Sequence, residues 1–164
     1  MKDTADIEKI YDTYSRRLYN ISLRITGSSG DAEEIMHDSL IGYWRFRSKS
    51  EIRDLSKWLT SNCIRKSIDR LREKSRWNDF LDGYNDPAYD DTSVPDEDSY
   101  TVAEIQKALN SLPGHYRTVV SLHLFEGFDY QEIAQITRSK ESTIRSLYMR
   151  GRKLLAEAIK RNRS

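Results

Sequence analysis

The side chains that ordinarily make and break bonds are few and scattered in this 164-residue chain. His37, His115 and His123 stand far apart, and Cys63 is the single cysteine. One thiol cannot anchor a structural zinc site built from clustered Cys and His ligands. None of the patterns G-x-x-x-x-G-K-[ST], H-E-x-x-H or G-x-S-x-G occurs. No catalytic residue, metal ligand or cofactor site is expected, so the chemistry on offer is recognition. Three sets of residues have useful spacing. In the first, Arg145, Ser146, Met149, Arg150, Arg152 and Lys153 fall on one helical segment, off its apolar stripe. Arg and Ser near the start of such a helix can reach base edges in a duplex major groove, while Lys and later Arg hold phosphates. In the second, Lys57, Arg65, Lys66, Arg70, Arg72, Lys74 and Arg76 are opposed by Asp69 and Glu73 and interleaved with Trp58 and Trp77. That mixture suits single-stranded or locally melted nucleic acid, where splayed bases stack on aromatic faces for about 1–3 kcal/mol each. Trp58 itself, in register with Leu55 and Leu59, is expected in the core. The third set is acidic: Asp31, Glu34 and Asp38 share a helix face beside apolar residues. Such a face is either solvated or docks a protein partner with a basic groove or coiled coil.

The elements that would position these sets are helical. Ile7, Ile10, Tyr11, Tyr14, Leu18, Ile21 and Ile25 recur at three- and four-residue steps, with Thr4 or Asp6 as N-cap. TGSSG at 26–30 is a turn in which Gly27 and Gly30 can take positive φ, and Asp31 opens a second helix. Ala32, Ile35, Met36, Ser39, Leu40, Tyr43 and Trp44 would cover a core. A third helix runs from Asp54 to about Trp77. Val102, Ile105, Leu109 and Leu112 mark a fourth, ending at Leu112-Pro113-Gly114, and His115 to Phe125 form a fifth. Asp129 and Glu132 form a capping box before the short helix EIAQI, with Ile133, Ala134 and Ile136 inward. A turn at Thr137–Lys140 leads to a last helix from Glu141 to about Ile159. Short helix, tight turn and longer basic helix make a helix-turn-helix.

At the scale of the chain, 27 basic against 26 acidic residues give a net charge of +1. Averaging conceals the pattern. Residues 1–77 carry +4, residues 78–104 carry −9 with no basic residue, and residues 105–164 carry +6. Two basic blocks flanking an acidic one point to a polyanion partner. The acidic block, with Gly83, Pro87 and Pro95 and no helical period, reads as a flexible linker. Its aromatic residues Phe80, Tyr84, Tyr89 and Tyr100 suggest a segment that docks when a partner is present, and composition fits a solvated tether equally well. A mean hydropathy of −0.77 leaves no room for a transmembrane helix, and MKDTADIEKI has no apolar run of the signal-peptide kind. With one unpaired cysteine, a reducing, cytoplasmic setting is expected.

Three stretches then carry a family likeness. DAEEIMHDSLIGYWR resembles the region of bacterial sigma factors that grips the clamp helices of RNA polymerase. WLTSNCIRKSIDRLREKSR resembles the neighbouring region that melts and reads the −10 promoter element. ALNSLPGHYRTVVSLHLFEGFDYQEIAQITRSKESTIRSLYMRGRKLL resembles the region that reads the −35 element. Two such blocks in so short a chain look like the extracytoplasmic-function (ECF) group of the sigma-70 family. The resemblance implies an all-α protein of two small helical domains. These are sigma region 2 over 1–77 and a four-helix, helix-turn-helix region 4 over 105–164, joined by the linker 78–104.

Carried over by position, Asp31, Glu34, Ile35, Asp38, Leu40 and Trp44 would contact or support the polymerase clamp. Lys57, Arg65, Lys66, Asp69, Arg72 and Arg76 would lie along the −10 strand. A base flipped from that strand would sit in a loop pocket around residues 48–56, extruded at a cost of a few kcal/mol. Arg145, Ser146, Met149 and Arg150 would face −35 bases, with Thr143, Arg152 and Lys153 near phosphates. The implied partners are core RNA polymerase (clamp helices and flap), double- and single-stranded promoter DNA, and an anti-sigma factor. No membrane insertion is implied, and no cofactor or catalysis. Where the group commonly has Asn, this chain has Arg65; Asn62-Cys63 replaces a small apolar pair. Ser142 stands for a usual Gly, Leu147 for a polar residue, Gly151 for Ala and His37 for Gln. The competing expectation is an ordinary helix-turn-helix transcriptional regulator with a helical sensing domain at its N-terminal end.

Overall fold

The computed structural model describes residues 2–49, 52–73 and 100–163. Among them lie seven helices and no strand, so the fold is all-α. The chain divides into two compact units, Met1–Glu73 and Lys74–Ser164. Among the described residues no helix is long and apolar enough to cross a membrane.

The first unit is a three-helix bundle of α1 (Lys2–Thr26), α2 (Ser29–Phe46) and α3 (Leu55–Glu73), each packed on the other two. Leu18, Ile21 and Ile25 of α1 meet Ala32, Ile35 and Met36 of α2 and Leu59, Cys63, Ile64, Ile68 and Leu71 of α3 in the core. Small polar residues sit where helices approach closely. Ser67 Oγ lies 2.8 Å from both Ser22 Oγ and the Cys63 carbonyl, which satisfies these buried groups within the bundle. The cysteine thiol donates to the Leu18 carbonyl at 3.4 Å. Helix starts differ from the sequence expectation. α1 already includes Thr4 and Asp6, so neither is its N-cap. Gly27, at φ 69°, makes the turn after α1. α2 begins at Ser29, two residues before Asp31, and Ser28 is its N-cap, its hydroxyl accepting from the Asp31 N–H. A serine oxygen at N-cap competes well for orphan N–H groups, and it places Gly30 and Asp31 inside the first turn. The Asp54 carboxylate takes the same part for α3, accepting from Lys57 N–H at 3.1 Å.

In the second unit the long α7 (Glu141–Arg163) is the spine, packed against α4 (Val102–Asn110), α5 (Gly114–Leu124) and α6 (Tyr130–Thr137). Thr101 and Glu104 form a reciprocal capping box, so the last residues of the expected linker fold as the cap and first turn of α4. Val102, placed on the apolar stripe by its spacing, is 65% exposed at that helix start. Glu104 also pairs with Arg163, tying the start of α4 to the end of α7. At mid-length α7 crosses α5 closely. A Cβ on Gly151 would stand 2.7 Å from Cγ2 of Val120 and 3.4 Å from Cβ of Tyr116. Glycine is what lets these two helices touch there.

Candidate nucleic-acid interface

In the second unit the geometry around α6 and α7 is set by caps. The Asp129 carboxylate accepts from Glu132 N–H at 2.8 Å, and Glu132 accepts from Asp129 N–H at 3.1 Å. His123 Nδ1 lies 2.8 Å from the Phe128 carbonyl, and its ring stacks on Tyr130 and meets Tyr148 edge-on. That cluster holds the start of α6 against α5 and α7, and makes His123 a structural residue. α6 ends at Arg138 in the left-handed conformation (φ 56°, ψ 43°), and Ser139 N–H donates to the Ala134 carbonyl.

On α7, Ile144, Leu147, Tyr148, Gly151 and Leu155 face inward. The seven recognition candidates all lie off that buried stripe. Arg145, Arg150 and Lys153 are exposed; Thr143, Ser146, Met149 and Arg152 are half-buried. Arg145 sits 3.4 Å from Glu141 and 5.5 Å from the centroid of the Tyr130 ring. An exposed pair of this kind contributes little net stability, so Arg145 can trade Glu141 for another anion.

In the first unit, a cavity of about 640 Å³ opens at the start of α3, lined by Phe46, Ile52, Arg53, Asp54, Lys57, Trp58, Ser61, Asn62 and Arg65. Its aromatic wall is layered. Phe46 stacks on Trp58 at 5.6 Å between centroids, and Tyr43 meets Trp58 edge-on at 6.0 Å. Trp58 is therefore half-buried, one side on the bundle and one on the cavity, which corrects its assignment to the core. It lies at the end of the apolar stripe, where among the described residues Phe46 and Tyr43 cover it only in part. Of the residues expected along a single strand, Lys57 and Arg65 line the cavity, whereas Lys66, Asp69 and Arg72 do not. Asp69 and Arg72 lie 3.7 Å apart. Arg76 lies outside the described residues, as do Trp77 and most of the linker. Phe46, Ser61 and Asn62 were missed. The i, i+4, i+8 run Lys57, Ser61, Arg65 was a readable signal for Ser61; nothing local pointed to Phe46, which comes from another helix.

The acidic face of α2 is partly occupied. Arg70 of α3 meets Asp31 at 2.6 Å, Glu34 at 3.2 Å and Glu73 at 3.5 Å, so this cation is engaged within the bundle. Hydrogen bonding to Glu34 raises its guanidinium above the ordinary value, with burial opposing. Asp38 and Glu34 remain exposed. Ile35 is 2% exposed and can only support the face. Leu40 and Trp44 line a small apolar groove with Ile7, Ile10, Tyr11, His37 and Ile41. The apolar stripe of α1 thus runs past the core into an uncovered surface, where Ile7 and Ile41 are 42% and 48% exposed.

Comparison with known proteins agrees with this arrangement. The family model for sigma-70 region 2 matches residues 10–76, and that for sigma-70 region 4 matches residues 103–155. The chain is 26% identical over 162 residues to the ECF RNA polymerase sigma factor SigE of Mycolicibacterium smegmatis, covering 96% of this chain and 63% of that protein. It is 28% identical to the ECF RNA polymerase sigma factor SigW of Bacillus subtilis, covering 92% and 87%. Among solved structures, the sigma factor RpoE of Bartonella quintana, in complex with the anti-sigma factor NepR, has the same fold. There the TM-score is 0.61 at 23% identity, over 94% of this chain and 97% of that one.

Proposed function

This chain belongs to the sigma-70 family, in its extracytoplasmic-function group, and from that premise we propose that it directs RNA polymerase to a particular set of promoters. It binds core polymerase, reads a −35 element as duplex and a −10 element as a melted strand, and does no bond chemistry of its own. The observation that carries this reading is the presence, in one chain, of a helix-turn-helix with a cationic outer face and a cationic cavity with an aromatic wall. The first suits base edges in a major groove, with Arg145, Ser146, Met149 and Arg150 reading and Thr143, Arg152 and Lys153 holding phosphates. The second suits an unstacked base lying against Trp58 while Lys57 and Arg65 take the adjoining phosphates. Lys66, Asp69, Arg72 and Arg76 would extend that track.

The exposed acids Glu34 and Asp38 beside Leu40 and Trp44 offer a polymerase helix pair both charge and apolar area, with Asp31 and Ile35 supporting from behind. The domains follow the same division, region 2 over 1–77 and region 4 over 105–164, with the acidic stretch 78–104 between them. The setting is the cytoplasm, where polymerase works. An anti-sigma protein is a natural regulator, since masking either recognition surface silences the chain. Reconstitution with core polymerase tests the proposal. Transcripts should start at discrete sites preceded by two shared elements, and mapped start sites would give both. A chain that binds specific duplex equally well with and without core polymerase would be an ordinary regulator, and the proposal would fail.

A further inference from the structure

Arg138 is the single described non-glycine residue with positive φ, at 56°. The left-handed region crowds a Cβ against the backbone, so a helix stop of this kind ordinarily takes glycine or asparagine. An arginine there is a local cost without a local return. Its side chain is exposed, and no described residue forms a hydrogen bond or ion pair with its guanidinium. Glu141, a nearby carboxylate, is paired with Arg145 instead. A strained residue kept in an exposed turn invites a functional explanation.

Its position supplies one. When the first residues of a helix enter a major groove, the turn leading into that helix lies at the groove wall, where the phosphates are. Arg138 stands three residues before α7 begins. We infer that Arg138 is a DNA-backbone contact of the helix-turn-helix, a guanidinium held by its αL backbone against one phosphate beside the groove that α7 reads. The inference rests on the promoter-binding role proposed above. It adds a positioning residue that sets how deep and at what angle α7 enters, without reading a base.

The test compares wild type, R138G, R138A and R138K as full-length chains on a fixed 30-base-pair duplex, alone at low salt and with core polymerase. R138G should melt no lower than wild type, because the strain is relieved. It should nonetheless bind on the order of fivefold to tenfold more weakly near 0.1 M salt, with the slope of log K against log salt smaller by about one. R138A should bind as weakly as R138G, and R138K should bind nearly as wild type. R138G and R138A binding with wild-type affinity and slope would overturn the inference. So would a loss of binding in R138G accompanied by a lower melting temperature and not shared by R138A. Wild type that gains nothing from core polymerase would overturn the sigma-factor reading alone, since the free-chain comparison would still report on Arg138. Wild type that binds duplex in neither arm would overturn both.

Discussion

At the scale of single residues, the outward face of α7 divides, under the proposed function, into readers and holders. Arg145 and Arg150 are exposed on the first half of the helix, and Lys153 follows a turn further on. Arginine presents a planar fork that matches guanine edges, whereas lysine is a point charge with no base preference. Arg145→Ala or Arg150→Ala should therefore relax base preference at one position, at a cost of about 1–3 kcal/mol, when holoenzyme binding is measured across a single-substitution library of −35 sequences. Lys153→Ala should instead weaken every sequence alike and reduce the salt slope by about one. An Arg145→Ala chain with unchanged preference would show that the readout lies elsewhere. All seven α7 candidates were legible in the sequence because helical periodicity alone sorts buried from outward positions. Trp58 was not, because periodicity places it on the apolar stripe and says nothing of where the stripe runs out of partners.

At the scale of elements, packing of helix on helix makes the claims. Gly151 stands where α7 passes Val120, and the missing Cβ is what lets the two helices approach so closely. Gly151→Ala should destabilise the second unit. Overpacking a stiff β-branched neighbour costs about 1–3 kcal/mol, against a gain in helix propensity of about 1 kcal/mol. Pairing it with Val120→Ala should recover part of that loss, so chemical denaturation of the four chains should give a favourable coupling energy. No coupling would mean that the close approach is not where the cost arises.

His115 offers a second check on the same unit. Burial, and secondarily Arg117, hold its pKa near 4, below the ordinary 6.5. Between those values the unfolded chain binds a proton that the folded chain refuses, so stability falls as pH drops through that window and the loss is complete below about 4. His115→Gln should flatten this part of the curve. Urea midpoints for both chains at pH 7 and pH 4.5 would show it, the difference between them shrinking toward acid. Glu104 acts in the same direction in a more acidic window. Hydrogen bonding from Arg163 lowers its pKa to about 2, so its stabilisation is present above about 4.5 and fades only as pH falls toward 2.

At the scale of the molecule, charge distribution matters more than net charge. A chain of net +1 carries a −9 segment between blocks of +4 and +6. A tethered polyanion should compete with DNA for the basic faces and so weaken binding by the free chain. Replacing the eight acids between positions 79 and 98 with Asn and Gln would raise the net charge to +9. Non-specific duplex binding by the free chain should then tighten severalfold at low salt and converge with wild type at high salt. Filter binding over a salt series measures this directly. Equal affinity at all salt concentrations would mean that the acids do not compete.

The division of labour between sequence and structure follows from the range of the forces involved. Caps, turns, helical faces and charge blocks are local or additive, and from them the sequence alone determined an all-α chain and the outward face of α7. Its likeness to the sigma-70 family named the two regions in order. Some features needed the chain folded. Arg70 was one cation among seven until the bundle set it against Asp31 and Glu34, pairing it with the acidic face. The cavity exists only because Phe46 of α2 arrives beside Trp58 and Asn62 of α3. Whether a residue ends at a surface, in a pair or in a pocket depends on partners distant in sequence, and only packing brings those partners together.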